Sequence, residues 1–326
     1  MIRAGKLTHD PSKKTSNVTA ENRLNLSDNV RGIGFLVLAI LTISLQNVAI
    51  KWIGGDYSVF QIVTLRSLVA MPFTLLFFRL EGGRGLPTTG RHRLQYLRGA
   101  LLFLSYTTFM MGLAALPLAD VEAIRCSGPL MITLLSVVIL GEQVGPRRWS
   151  ALLVGFGGVL LIIRPGAATF NLGSVFVLIS VFFYALVVMA TRRLQTTDSS
   201  ATMAYYSSLV YLVASLTLTP LAGLVSAPPD AHPSIAFLFR AWTMPTAVDL
   251  AIMGGLGIIW ATWTYLMARA YSLAQASVAA PFEYVALPIN ILWGFLIWHE
   301  IPTALTLAGA GLTLASGLYV LYRERT

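Results

Sequence analysis

Residues 32–53 read GIGFLVLAILTISLQNVAIKWI. This stretch carries no charge before Lys51. At about 1.5 Å of rise per residue it is long enough, as an α-helix, to cross a hydrocarbon core of about 30 Å. Outward from it, comparable apolar stretches recur near residues 58–78, 95–115, 118–140, 148–164, 174–193, 201–224, 247–270, 275–297 and 303–322. A segment in lipid must satisfy every backbone polar group internally, and runs of this length do so as helices. The sequence therefore predicts an all-α integral membrane protein with ten transmembrane helices and mostly short connections.

Composition points the same way. Of 326 residues, 56% are hydrophobic and only 11% are charged, and the mean hydropathy is +0.71. A soluble domain carries about 25% charged residues, so much of this surface is expected to face lipid. The net charge of +9 would suggest nucleic acid in a soluble protein, but the basic residues sit between the apolar stretches, and no nucleic-acid partner is expected. The single cysteine, Cys126, lies inside an apolar stretch, which offers neither a disulfide framework nor a thiolate metal site. No metal and no cofactor are expected.

Residues 1–31 are polar and basic and lack the apolar core of a secretory signal, so they are expected to form a disordered cytoplasmic tail. With the tail inside, eighteen basic residues fall on the cytoplasmic side, in clusters such as Arg91, Arg93 and Arg98, Arg147 and Arg148, or Arg192 and Arg193, against Lys51, Arg164 and Arg240 outside. That bias predicts both termini in the cytoplasm and a multi-pass protein of the cytoplasmic (inner) membrane. The outside segment 226–246, with Pro228, Pro229 and Pro233, either lies along the membrane surface or is a plain connector.

The two halves resemble one another. A shift of 155 residues lays Gly99 on Gly254, Ala115 on Ala270, Leu118 on Leu273 and Ala119 on Ala274, and after three inserted residues Glu142 falls on Glu300. Residues 32–164 and 165–326 each hold five predicted spans. An odd number makes the second copy enter the membrane from the opposite side, so the halves form an inverted repeat, the arrangement on which alternating access is built.

The stretch Leu116-Pro117-Leu118-Ala119-Asp120-Val121, then Gly128-Pro129-Leu130, Leu140-Gly141-Glu142, Gly155-Phe156-Gly157-Gly158-Val159 and Arg164-Pro165, resembles the EamA-type half of the drug/metabolite transporter superfamily. Matching elements of the second half are Ser277 to Pro281, Phe282-Glu283-Tyr284, Pro288 and His299-Glu300, with His299 where the family usually has glycine. The resemblance implies a ten-helix fold around a central cavity and a substrate among amino acids, other small metabolites or drugs. It also makes an arginine at the place of Arg66 familiar, whereas Arg125 departs from the usual apolar residue.

Away from the ends of the predicted spans lie four charged side chains, Arg66, Glu122, Arg125 and Glu283. Each costs about 2.5–3.5 kcal/mol near a helix centre, so each is expected to face the protein interior. Glu283 has no basic neighbour on its own helix. It is expected to pair with Arg66 or Arg125, to take up a proton or a substrate ammonium, or to make a permanent structural hydrogen bond. Arg66 is expected either to clamp a carboxylate with its forked donors or to form a structural ion pair. Glu122 and Arg125, three apart, either neutralise one another near the outer surface or serve the cavity.

Asn290 and Trp293 follow Glu283 on one helical face, and Trp260, Trp263, Tyr106, Tyr184, Gln46 and Asn47 are further cavity candidates, with packing as the alternative for each. Pro129, Pro281 and Pro288 interrupt spans four and nine, as hinges or as static kinks. Glu142 and Glu300 are expected to cap the helix that follows each. The glycines at 155, 157, 158, 254, 255 and 257 are expected to allow close packing.

No HExxH or GxSxG pattern occurs in a span, and the four histidines lie outside the spans or at an end of one, so an intramembrane enzyme is not expected. No phosphate-binding loop is present, which argues against direct use of ATP. The expected function is secondary transport of a small-molecule substrate, an amino acid or related organic solute, across the bilayer, with export as the direction and protons as a candidate coupling ion. The alternative is a passive channel, or an uptake carrier for a vitamin or nucleoside-like metabolite.

Overall fold

The structure, a computed structural model, describes residues 11–53, 57–140, 145–164, 170–224, 231–274 and 280–324. Twelve α-helices follow one another: α1 (Pro11–Ile53), α2 (Val59–Leu80), α3 (His92–Leu113), α4 (Leu118–Arg125), α5 (Gly128–Leu140), α6 (Pro146–Ile163), α7 (Leu172–Leu194), α8 (Ser200–Gly223), the single turn α9 (Pro233–Ala236), α10 (Ala247–Leu273), α11 (Ala286–Trp298) and α12 (Ala304–Glu324). A 3₁₀ helix, Ala280–Val285, leads into α11. Among the described residues six helical stretches are long and apolar enough to cross a membrane, and three shorter apolar helices, Trp149–Ile163, Phe282–Trp298 and Ala304–Ser316, accompany them. This is a multi-pass helical membrane protein.

Local chemistry sets the helix ends. Ser58, Asn171, Ser199 and Thr246 each accept a backbone N–H of the first turn of α2, α7, α8 and α10, occupying donors that a helix start leaves open. Pro146 opens α6 at a position where its missing N–H costs nothing. Helix α1 begins at Pro11, so residues 11–31, expected as a disordered tail, are helical in their backbone, while residues 1–10 lie outside the described residues.

The fourth and ninth predicted spans are not single helices. Between α4 and α5 the chain breaks at Cys126–Ser127, because Pro129 has no N–H to offer the carbonyl of Arg125. The ninth starts as a 3₁₀ turn holding Pro281, and α11 starts only two residues before Pro288, whose missing donor is tolerated in a first turn. His299 ends α11 at φ 54°, ψ 31°, in the left-handed region. That conformation explains why glycine suits this position, since only glycine enters it without strain.

The helices pack in a repeated scheme: α1 on α10 and α3 on α7, α2 on both α8 and α10, α3 on α8, α6 on α12 and α4 on α11. Small residues let α6 and α12 touch. A Cβ on Gly158 would sit 2.6 Å from the Gly309 carbonyl oxygen, and Thr313 donates to the Gly155 carbonyl at 3.2 Å. Gly257 is pressed against the backbone of α2 at Arg66. Gly157 and Gly255, expected to share this role, face open space instead.

Each end of the bundle is tied across the chain. At one end Lys51 pairs with Glu300, Tyr57 donates to Asp249 at 2.7 Å, and Gln61 both donates to and accepts from the backbone of Thr243. At the other end Asp198 accepts from Thr89 and Gln95, and Arg91 donates to the carbonyl of Arg193. Arg98 is buried in α3, donating to Thr191, Ser207 and the Met203 carbonyl, although the sequence placed it among the loop charges. These fixed acceptors offset the cost of burying its charge.

Candidate functional site

The helices enclose a cavity of about 1010 Å³, its open mouth included. Each helix gives it one face. From α3 come Leu102, Ser105, Tyr106 and Phe109, and from α10 Trp260, Trp263 and Met267, the spacing of side chains stacked on one side of a helix. Helix α1 adds Ile40, Ile43, Gln46 and Asn47, α4 adds Glu122 and Arg125, and α7 adds Ser180, Val181 and Tyr184. Glu283 and Tyr284 enter from the 3₁₀ turn, and Cys126, Gly128 and Pro129 from the break in the fourth span. Both interruptions thus lie at the cavity wall, where irregular backbone is tolerated inside a membrane.

Of the residues the sequence proposed, Gln46, Asn47, Tyr106, Glu122, Arg125, Pro129, Tyr184, Trp260, Trp263 and Glu283 meet at this cavity. Arg66 does not line it. Its side chain is fully buried behind the wall, its guanidinium stacked 3.8 Å from the ring of Tyr106 and 4.2 Å from that of Trp260, with Tyr211 at 5.2 Å. Nη1 donates to Gln46 Oε1 at 3.3 Å. Asn290 is also buried outside the lining. It accepts from Asn47 Nδ2 at 3.4 Å and donates to the Ala286 carbonyl at 2.9 Å. Trp293 Nε1 donates to Ser44 of α1 at 3.3 Å. Pro288 lies in the first turn of α11 and Pro281 in the 3₁₀ turn before it.

The expected pairing of Glu283 with an arginine is not what the structure contains. Glu283 Oε1 accepts from the hydroxyl of Tyr271 on α10. Arg125 instead binds Glu122 at 2.8 Å and packs 4.8 Å from the ring of Phe109. Glu122 also receives Asn47 Nδ2 at 3.3 Å. These two charges therefore neutralise one another, as proximity on one helix suggested, and both line the cavity.

The carboxylate of Glu300 departs from expectation too. It ignores the helix that follows it: Oε1 meets Lys51 Nζ at 2.5 Å, and Oε2 takes the Leu118 N–H at 3.0 Å, capping α4. Glu142, its counterpart in the first half, lies outside the described residues.

Residues not put forward for the site complete it: Ser105 and Ser180, whose hydroxyls lie 3.3 Å apart between α3 and α7, and Tyr211, Tyr284, Phe109 and Met267. For Phe109, Ser180 and Met267 the sequence signal was a place one helical turn from Tyr106, Tyr184 and Trp263. A second, smaller cavity shares Leu102, Tyr184, Trp263 and Met267 with the first and reaches Arg98, Thr191 and Tyr271.

Helices of membrane-spanning length around a polar, aromatic-lined interior define a membrane protein with an internal cavity. The EamA-like transporter family matches residues 30–164. The chain is 30% identical over 254 residues to the riboflavin transporter of Vibrio cholerae, covering 77% of this chain and 79% of that protein. It is 27% identical over 298 residues to an S-adenosylmethionine uptake transporter of Rickettsia bellii, covering 90% of this chain and 94% of the relative. A pseudopaline exporter of Pseudomonas aeruginosa is 26% identical over 287 residues, covering 87% and 94%. A solved crystal structure shares the fold with a TM-score of 0.63 at 17% identity, over 89% of this chain and 95% of that one. The chain belongs to the EamA-like transporter family, of the drug/metabolite transporter type.

Proposed function

We propose that this chain is a secondary carrier that moves a small, polar, ring-bearing metabolite through the central cavity by alternating access, in the cytoplasmic membrane with both termini inside. One observation carries the reading. A cavity lined by Glu283, the Glu122–Arg125 pair and three aromatic side chains of α3 and α10, Tyr106, Trp260 and Trp263, sits at the two interrupted spans. Paired breaks of this kind are where carriers bind and release cargo.

The packing scheme supports an inverted repeat of ten spans. Exchanging the halves turns the contact of α1 with α10 into that of α7 with α3, and α2 with α10 into α8 with α3, while α2 with α8 and α6 with α12 map onto themselves. The Lys51–Glu300 end then faces outward, and the second cavity, reaching Arg98 and Thr191, forms the cytoplasmic side of the route. The Glu283–Tyr271 bond joins the two cavities. A cationic group or a coupling proton arriving at Glu283 competes with that bond.

Uptake is the direction favoured by the widely covering S-adenosylmethionine relatives, and export by the pseudopaline relatives. A carrier runs either way according to its gradients, so the direction follows the coupling ion. The test is counterflow in proteoliposomes with S-adenosylmethionine, riboflavin and amino acids. Saturable uptake accelerated by the same unlabelled solute inside is the expected result, and a flux linear in concentration without counterflow refutes carriage in favour of a channel.

A further inference from the structure

We infer that the cargo of the central cavity carries a carboxylate, and that Arg66 is its anchor. This rests on the cavity being the substrate route. A guanidinium offers two flat faces and donor-bearing edges. The rings of Tyr106 and Trp260 lie 3.8 and 4.2 Å from the central carbon of Arg66 and 5.7 Å from one another, so they form a corner around it. Its Nη1 is occupied by Gln46 Oε1. Nε and Nη2, the adjacent pair that grips a planar anion side-on, have no hydrogen-bond partner among the described residues, and the side chain is fully buried.

Contact with the aromatic rings offsets part of the cost of burying the charge but supplies no oxygen to these two N–H groups. A buried, unmet pair of donors on a full charge is among the most expensive arrangements a protein holds. Among the described residues no carboxylate meets it: Glu283 is held by Tyr271, Glu122 by Arg125 and Glu300 by Lys51. Gln46, Tyr106 and Trp260, the three residues that hold the guanidinium, all line the cavity. Trp260 Nε1 is likewise without an acceptor. A carboxylate arriving from the cavity supplies two oxygens in the one geometry the fork accepts, and Glu283 remains for a cationic group of the same molecule. A zwitterion that also carries a ring to pack on Trp263 offers a group to each.

The test measures binding to the purified full-length protein of tryptophan, of S-adenosylmethionine, of the carboxyl methyl ester of each, and of riboflavin, which has no carboxylate. The wild type is expected to bind the acids at least about tenfold more tightly than the esters, one charge-assisted fork being worth that much. Arg66→Lys keeps a cation for the aromatic rings and loses the fork, so the acid-to-ester ratio should collapse toward one. A purely structural arginine would leave that ratio unchanged while weakening both ligands together. Esters or riboflavin bound as tightly as the acids by the wild type would overturn the inference and leave the cavity reading standing, and this arm needs no variant to fold. Binding of none of these compounds would count against both.

Discussion

Glu300 holds two elements at once: its carboxylate lies 2.5 Å from Lys51 Nζ of α1 and receives the Leu118 N–H, the first of α4, at 3.0 Å. Lys51 also lies 4.9 Å from the ring of Trp298. A single side chain thus closes one end of the bundle by tying α1, α4 and α11, three elements of the cavity wall or its support.

Replacing Glu300 therefore removes an ion pair and a helix cap together. Glu300→Gln keeps an acceptor for Leu118 and loses the charge, whereas Glu300→Ala loses both. Thermal unfolding in detergent should rank wild type above Gln above Ala, the last by about 2 kcal/mol, the size of a lost cap with a half-buried ion pair. An alanine variant as stable as the wild type would contradict the role given to this contact.

Among the described residues Glu283 is held by the Tyr271 hydroxyl. Glu283→Gln should lower the rate of transport at least about tenfold with unchanged expression, because a carboxylate that meets a cation in the membrane interior has no neutral substitute. Tyr271→Phe, which frees the carboxylate without removing it, should change the rate much less. Transport assays on both variants separate these outcomes.

Pro129 withholds a donor from the Arg125 carbonyl and so interrupts the fourth span at the cavity. Pro129→Ala restores the donor and should favour a continuous helix. The expected outcome is slower transport with thermal stability equal to or above that of the wild type. Lower stability with normal transport would show the break to be structural only.

Gly158 and Gly309 face one another where α6 meets α12. Leucine at either position forces the backbones apart, and overpacking of this kind costs about 1–3 kcal/mol. A lowered unfolding temperature for Gly158→Leu, with little change for Gly157→Leu at the open neighbouring position, is the expected pattern.

Much of this was legible in the sequence because lipid imposes long, simple signals. Twenty apolar residues with basic ends announce a span whatever it packs against, and the charged residues inside the spans were bound to be interior. Most of the proposed site residues, Gln46 and Trp263 among them, do meet at the cavity. Partnership was not legible. Arg66 stacks on rings from α3, α8 and α10, and Glu283 turns to Tyr271 rather than to an arginine. Those choices depend on how helices far apart in sequence face each other. Glu300 misled for the same reason: the helix start nearest in sequence is not the one nearest in space. Arg98 resembled a loop charge because its acceptors, Thr191 and Ser207, leave no charge pattern to read.

The account stands on a cavity that opens to each side of the membrane in turn. Cys126, the sole cysteine of the chain, lines that cavity and is buried, so it reports on opening without any engineered residue. A membrane-impermeant thiol reagent applied to vesicles of either orientation should label Cys126 from both faces, each time more slowly when a transported solute saturates the site. Labelling from one face only, or labelling that no transported solute slows, would contradict alternating access through this cavity.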